Sequence, residues 1–295
     1  MEKRNLLLIL LIFGTAFWGI SFSVTKLAMG TGSPSTFLFY RFLLATLVLS
    51  LVFWKHVIKT KLSNIKTGVL LAIPLFLGIH LQTLGIKLSS ASQCAFIAGM
   101  TVVMVPLLKL LLYRKAASAK IWIAAIIALS GLFVISINGQ LKIGTGDLYT
   151  ISGAFGFAIY LIAVEKKASG KSLVPTIVPM FATCAILTFG LAITDANANW
   201  YPETNTFWIG VVYCALFATA YMYSISNIAQ RYISAERVSV IYLFEPVFGA
   251  FAAFFILDES LSMRLLVGGG LIFLATIISE ANLKKLLSRN KSLAS

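Results

Sequence analysis

The chain has 295 residues, of which 59% are hydrophobic and only 12% are Asp, Glu, Lys or Arg. A soluble domain carries roughly 25% charged residues, so this composition excludes an ordinary soluble enzyme or binding domain. The net charge of +14 alone would suit a nucleic-acid-binding protein. The basic residues, however, lie in short segments between apolar runs rather than on one face, so we expect no nucleic-acid partner.

Apolar runs of around 20 residues recur along the whole length, which is typical of a polytopic helical membrane protein. The first run has no small-residue cleavage motif and is long enough to span, so we expect it to remain as a helix. We predict an all-α protein with ten transmembrane helices, which cover approximately residues 6–28, 35–54, 67–87, 91–113, 120–138, 147–165, 173–194, 207–228, 237–257 and 262–281.

The distribution of basic residues predicts the orientation. With the N-terminus in the cytoplasm, 18 of the 24 Lys and Arg residues fall in cytoplasmic segments and three fall outside. The other three, Lys26, Arg41 and Lys109, lie within spans. We expect a multi-pass protein of the inner (plasma) membrane. Because cytoplasmic loops are enriched in Lys and Arg, we expect both of its termini in the cytoplasm.

Two sequence matches indicate an internal duplication. The segment that begins at Gly14 matches the one at Gly153, and Pro106 matches Pro246, at offsets of 139 and 140 residues. Two matches at nearly one offset argue for two repeats, which we assign to residues 1–140 and to residues 141–295 with a basic cytoplasmic tail. Since five helices per repeat is an odd number, the second repeat must enter the membrane from the opposite side, which gives inverted repeats around a central cavity.

The candidate substrate-binding residues are polar and aromatic side chains within the predicted spans, because a transporter needs such groups on inward helix faces. They are Trp18, Ser21, His80, Gln82, Tyr160, Tyr223, Asn227, Tyr242 and Glu245. Helix–helix hydrogen bonding, worth about 0.6–2 kcal/mol, is an equally good interpretation of His80 and Gln82. Trp18 and several tyrosines are also consistent with core packing. An aromatic cavity with a few polar groups would suit an amphipathic, partly cationic or aromatic metabolite.

Glu245 precedes Pro246 near the middle of the ninth predicted span. Pro246 cannot donate a backbone hydrogen bond, which leaves a carbonyl acceptor free beside the acid. An acid at this depth costs roughly 2.5–3.5 kcal/mol on insertion scales, so it requires a compensating interaction. Two interpretations remain: a neutral side chain bonded to a neighbouring helix, or a functional one that binds a cationic group or cycles a proton. The first repeat has Val105 at this position, so the scaffold itself requires no carboxylate.

Three other charged side chains in or at the ends of spans have simpler explanations. We interpret Arg41 as a structural or snorkelling arginine and Lys109 as a snorkelling lysine. Lys26 and its counterpart Glu165 end their spans, where they would serve as interface anchors or as ion pairs beside a gate.

Several motifs, taken in order and spacing, resemble the EamA type of the drug/metabolite transporter superfamily. In the first half they are Trp18-Gly19-x-Ser21-Phe22-x-x-x-Lys26, Tyr40-Arg41-Phe42 and the run from Ser92 to Leu108; in the second half they are Glu245-Pro246-Val247-Phe248, Asp258-Glu259-Ser260-Leu261 and Gly268–Gly270. The resemblance implies ten helices around a central cavity and the export or exchange of small metabolites. The family often has an acidic residue at the first hinge, where this chain has Arg114-Lys115. No role for a carboxylate is therefore carried over to that half.

These observations predict a secondary transporter that moves small polar or amphipathic metabolites, such as amino acids, by alternating access. Nucleotide-linked compounds, for example S-adenosylmethionine or nucleosides, are an alternative substrate class. An intramembrane enzyme or a channel would need paired catalytic groups at one depth or rings of like polar groups, and the sequence has neither. We expect no metal or other cofactor, a monomer in the lipid bilayer, and protons as a candidate coupling ion.

The orientation can be tested with single cysteines at positions 60 and 200 of a cysteine-free background. A membrane-impermeant thiol reagent added to intact cells should label position 200, because the acidic loop after the seventh span is expected outside, and should leave position 60 unlabelled. Permeabilised cells, in which both positions become accessible, provide the control. Labelling at position 60 but not at 200 contradicts the predicted orientation.

Overall fold

The computed structural model describes residues 3–30, 32–136, 144–169, 172–257 and 263–280. The hinge at Asp258–Ser262, Lys142 and the C-terminal tail lie outside these residues. Every secondary-structure element of the described residues is helical. They are α1 (Lys3–Ala28), α2 (Pro34–Val52), α3 (Trp54–Ile58), α4 (Leu62–Leu88), α5 (Ala91–Gly99), α6 (Thr101–Tyr113), α7 (Ala119–Ser136), α8 (Thr145–Ala168), α9 (Val174–Thr194), α10 (Asn205–Tyr213), a π-helical segment (Cys214–Tyr221), α11 (Met222–Ala229), α12 (Ala235–Tyr242), α13 (Phe244–Leu257) and α14 (Met263–Glu280).

Eight helical stretches of the described residues are long and apolar enough to cross a membrane, which confirms a polytopic helical membrane protein. They are Arg4–Ala28, Pro34–Val52, Leu62–Leu88, Gln93–Tyr113, Thr145–Ala168, Val174–Thr194, Asn205–Ala229 and Ala235–Ile256. The predicted spans at 120–138 and 262–281 correspond to α7 and α14. Within them the described residues contain the shorter apolar helices Ala119–Gly131 and Leu266–Ser279.

The surface of the helix bundle carries large apolar side chains. Leu51, Leu111, Ile186 and Phe255 are each at least 70% exposed. A soluble protein keeps such exposed apolar surface small, whereas hydrocarbon solvates it without penalty. The exposed faces are therefore adapted to lipid.

The helices pack in a regular set of pairs. α2 packs against α9, and α7 packs against α14. α4 packs against α8, while α1 packs against α13 and against the continuous stretch from α10 to α11. α8 also contacts the consecutive helices α5 and α6. α1 and α8 therefore each lie against several elements, and each also has an exposed apolar face.

Two of the spanning stretches are interrupted near their centres. α5 passes into α6 at Met100, and α12 passes into α13 at Leu243. At the second break the cause is visible in the sequence, because the ring of Pro246 removes the hydrogen bond to the carbonyl of Tyr242 and clashes with that carbonyl. The first break follows Gly99, which weakens a helix, and precedes Pro106 by six residues.

Glycines allow two helix pairs to approach closely. A Cβ atom on Gly19 of α1 would lie 2.5 Å from the Gly249 nitrogen and 2.6 Å from the Glu245 carbonyl oxygen of α13. On α7, a Cβ atom on Gly131 would lie 2.5 Å from the Gly268 oxygen of α14. In both cases the obstacle is backbone, which cannot rotate away, so these positions fix the spacing of the helices.

The segment after α9 is held against α2. Ser35 donates a hydrogen bond to the Asp195 carboxylate, and Tyr40 donates one to the Trp200 carbonyl at 2.7 Å. The bond from Ser35, together with one from the Asn197 backbone, lowers the pKa of the Asp195 carboxyl below its usual value. The acid therefore stays ionised at neutral pH and keeps both hydrogen bonds.

Gly19→Ala tests the close approach of α1 and α13. The added methyl group must displace the backbone of α13, which we expect to cost roughly 1–3 kcal/mol and to lower the midpoint of thermal unfolding in detergent. Gly190→Ala in α9 is the matched control, because a Cβ atom there meets nothing within 4 Å. The control should be neutral or slightly stabilising, since Ala favours helix more than Gly does. Equal effects of the two substitutions contradict the packing argument.

Candidate substrate cavity

A cavity with about 730 Å³ of space free of protein atoms, counted out to its open side, lies between the packed helices. Its walls come from α1, α2, α4, α8 and α11 and from both interrupted stretches. Gly99 and Thr101 flank the first break, and Tyr242 and Glu245 flank the second. Irregular backbone within a membrane is tolerated where it lines such a cavity.

Aromatic side chains form one wall of the cavity. The Trp18 ring lies 4.7 Å from the Tyr242 ring and 5.1 Å from the Tyr223 ring, measured between centroids. Tyr160 meets Tyr223 edge to face at 5.8 Å. The Trp18 indole nitrogen donates a 2.7 Å hydrogen bond to the Ala218 carbonyl in the π-helical segment, which fixes the ring against the wall.

The three tyrosine hydroxyls of this wall differ in their partners. Tyr160 donates a 2.7 Å hydrogen bond to the Asn227 side-chain oxygen, and the Tyr242 hydroxyl is hydrogen-bonded to that of Ser226. The Tyr223 hydroxyl has no hydrogen bond to any described residue, although the residue is only 2% exposed. Since a buried tyrosine hydroxyl normally has a partner, the Tyr223 hydroxyl is the one available to a ligand or to water.

One basic and one acidic side chain line the same cavity. Arg41 of α2 is 6% exposed, and its Nε donates a 2.7 Å hydrogen bond to Thr219 in the π-helical segment. Glu245 stands in the first turn of α13. The sequence interpretation of Arg41 as a structural or snorkelling residue missed its place in the cavity. The available signal was an ionisable residue deep within an apolar span, which by itself indicates a functional site.

The structure brings seven of the nine candidate residues to this cavity: Trp18, Ser21, Gln82, Tyr160, Tyr223, Tyr242 and Glu245. His80 and Asn227 are not among the lining residues. His80 stacks on Phe76, and its Nδ1 has no hydrogen-bond partner among the described residues. Asn227 stands behind the wall, where it binds Tyr160. Substrate binding by any of these residues stays a prediction.

A second group of charges lies apart from the cavity lining. Lys109 of α6 is 2.8 Å from Glu165 of α8 and 2.7 Å from Glu236 of α12, and we call these three residues the Lys109 ion cluster. The interpretation of Lys109 as a snorkelling lysine is therefore wrong, because its ammonium group joins three helices. Lys26, by contrast, donates hydrogen bonds to the carbonyls of Ile86, Lys87 and Ser89 at the end of α4.

A helical membrane protein whose interrupted helices surround a cavity of aromatic and charged groups has the architecture of a membrane transporter. The described residues contain no cluster of His, Cys, Asp and Glu that could hold a metal ion. The model of the EamA-like transporter family matches residues 5–137 and again residues 144–280. The chain therefore belongs to the EamA-like transporter family, which confirms the resemblance drawn from the motifs.

Comparisons with individual proteins agree with this assignment. An uncharacterized transporter of Archaeoglobus fulgidus is 28% identical over 88% of this chain and 81% of its own length. The uncharacterized transporter YyaM of Bacillus subtilis is 24% identical over 84% of each chain. A crystal structure of a protein with 15% identity has the same fold, with a TM-score of 0.75 over 98% of this chain and 99% of that chain. The protein is thus a multi-pass membrane transporter of a small-molecule substrate.

Two matched tyrosine substitutions distinguish a structural role of a hydroxyl group from a role in substrate binding. Tyr160→Phe leaves the Asn227 oxygen buried without a donor, so we expect it to lower thermal stability by about 1–3 kcal/mol. Tyr223→Phe removes a hydroxyl that bonds no described residue, so we expect unchanged stability but roughly tenfold weaker substrate affinity if the hydroxyl binds the substrate. Thermal unfolding in detergent and the concentration dependence of uptake into proteoliposomes measure the two effects. A loss of stability in Tyr223→Phe equal to that in Tyr160→Phe contradicts the distinction.

Proposed function

We propose that this transporter is a secondary carrier that moves small amphipathic metabolites with an amino group, such as amino acids, by alternating access through the central cavity. The observation that carries this proposal is Glu245. It stands at the break between α12 and α13, within a wall of aromatic rings. A carboxylate attracts an ammonium group, aromatic faces attract both cations and apolar groups, and carriers bind their substrates where spanning helices are interrupted.

We further propose that the carrier consists of two inverted five-helix repeats, residues 1–140 and 141–295. The family model supports this division, because it matches 5–137 and 144–280 separately. The packing supports it as well. In the proposed repeats, α2 and α9 are both second spans, and α7 and α14 are both fifth spans. Each of these pairs therefore consists of two helices that hold the same position in the two repeats, and swapping the repeats leaves the pair unchanged.

The remaining pairs are related in the same way. The first span of one half, α1, packs against the third span of the other half, from α10 to α11. Its counterpart α8 packs against α4, the third span of the first half. α1 also packs against α13 and α8 against α5 and α6, which are parts of the fourth spans. This exchange symmetry is what inverted repeats produce, and carriers built from them work by rocking one bundle against the other.

The Lys109 ion cluster supports a conformation closed on one side. With both termini in the cytoplasm of the host cell, this cluster lies toward the cytoplasmic end of the cavity. It joins Lys109 of the first repeat to Glu165 and Glu236 of the second. Toward the opposite end lies an apolar cluster of Phe22, Ile86, Ala91, Cys94 and Ala95. Opening to the cytoplasm would require these ion pairs to separate and regain water.

Counterflow into proteoliposomes tests the proposal. Purified protein is reconstituted with an unlabelled compound inside, and uptake of the labelled compound is followed for a panel of amino acids, amines and nucleosides. We expect saturable uptake with a transient overshoot for at least one compound that carries an amino group, because a carrier exchanges bound substrate across the membrane. Flux that neither saturates nor shows counterflow identifies a channel instead.

Glu245→Gln tests the role of the acid. The substitution keeps size and hydrogen bonding but removes charge and titration. We expect at least about a tenfold loss of transport and a changed pH dependence, with thermal stability retained, because the lost interaction is with the substrate or a proton. Glu203→Gln in the exposed loop before α10 is the matched control and should transport normally. A Glu245→Gln variant with the wild-type rate and pH dependence would leave Glu245 with a structural role only.

A further inference from the structure

Arg41 and Glu245 are the two ionisable side chains among the cavity-lining residues, and neither forms an ion pair with a described residue. The ion pairs found within the described part of the chain both involve Lys109. Arg41 uses Nε for Thr219, and its two terminal nitrogens have no hydrogen bond to a described residue. Glu245 forms neither a hydrogen bond nor an ion pair with these residues. One guanidinium group and one carboxyl group therefore line the same cavity without hydrogen bonds from their outer atoms to described residues.

This arrangement is costly unless something else completes it. A guanidinium group stays protonated in proteins, so Arg41 cannot escape its charge by titration. Removing a charge from water without a counter-charge costs several kcal/mol, which is why buried charges in proteins are almost always paired. The Lys109 ion cluster follows that rule and the cavity pair does not. Glu245 can instead take up a proton and become neutral, so Arg41 is the group whose missing partner must be supplied by water or by a bound ligand.

We propose that the substrate is a zwitterion whose carboxylate binds Arg41 and whose ammonium group binds Glu245; this inference rests on the proposed carrier function. The hydrogen bond from Nε to Thr219 fixes the plane of the guanidinium group and leaves its outer edge for a planar, bidentate anion such as a carboxylate. The rings of Trp18, Phe157 and Tyr223 line the same space and accommodate the apolar part of the ligand.

The charges also select against the nearest alternatives. A simple amine would satisfy Glu245 but leave Arg41 unpaired beside it, and a simple carboxylate would do the reverse. Sites built to pair a polar group discriminate strongly against an analogue that lacks the group, because the protein partner is then left buried and unsatisfied. A ligand with both charges satisfies both side chains, and the sum of the charges in the occupied cavity is zero.

The test measures the binding of a set of ligands to the wild-type protein and to charge-removing variants. Two matched series are used: L-phenylalanine, phenylalaninamide and 3-phenylpropionate, and L-leucine, leucinamide and 4-methylpentanoate. Each series contains a zwitterion, a cation and an anion with the same side chain. Binding to purified wild-type protein is measured by thermal shift and by inhibition of uptake in proteoliposomes. We expect the amino acid of at least one series to bind about tenfold or more tightly than both of its analogues.

Two charge-removing variants should then respond differently. Arg41→Gln should weaken the amino acid and the carboxylate about tenfold while sparing the amide, and Glu245→Gln should weaken the amino acid and the amide while sparing the carboxylate. Arg41→Lys should partly restore amino-acid binding, which shows that loss in Arg41→Gln comes from charge rather than from misfolding. Arg231→Gln, an exposed arginine outside the cavity, is the control and should change nothing.

Other outcomes separate this inference from the proposed function. If both amides bind as tightly as their amino acids, or if Arg41→Gln weakens all three ligands equally, Arg41 has no role in carboxylate binding and the inference fails. If no member of either series binds while the counterflow panel detects a saturable amine or nucleoside, the zwitterion inference is overturned and the carrier function stands. Absence of counterflow with every compound overturns the carrier function itself.

Discussion

The structure depends on one constraint: inside hydrocarbon each backbone N–H and C=O group must find its partner within the protein. The described secondary structure is accordingly helical throughout, and it departs from regular α-helix only in protected places. The breaks at Met100 and Leu243 lie where two interrupted stretches border the cavity. The π-helical segment receives hydrogen bonds from Trp18 to Ala218 and from Arg41 to Thr219. Irregular backbone and the candidate site therefore coincide, because only there can the freed groups be satisfied.

In this low-dielectric environment the ionisable side chains fall into two groups: those with partners within the protein and those without. Lys109 lies within ion-pair distance of two glutamates, and Lys26 donates to three carbonyls at the negative end of α4. These charges are neutralised by the protein and hold helices together. Arg41 and Glu245 receive no such compensation from the described residues. The difference lies in the surroundings and not in the residue type, which is why the cavity charges point to a ligand and the others to structure.

The sequence predicted the helices well and the site partly, for physical reasons. Span positions follow from apolar runs about 20 residues long, so eight of the ten predicted spans coincide with membrane-spanning stretches of the described residues. Glu245 could be singled out because an acid beside a proline in an apolar run is unusual on local grounds alone. The partners of Lys109 could not be identified from the sequence, because Glu165 and Glu236 are 56 and 127 residues away and meet Lys109 only through helix packing. His80 is not among the residues that line the cavity, because depth in a span does not say which way a helix faces.

The proposed duplication gives the two cavity charges a further meaning. Each charge occurs in one half only. Glu245 corresponds to Val105, and at the same offset of 139 to 140 residues Arg41 corresponds to Met180 or Phe181. The shared scaffold thus needs neither charge, and each half contributes one. A zwitterion bound between them would link the two repeats electrostatically at the centre of the membrane, while the Lys109 ion cluster links the same repeats at one end. Binding and gate opening would then act on the same interface, so a ligand that pairs both charges can favour rearrangement of the halves in a way that a singly charged ligand cannot.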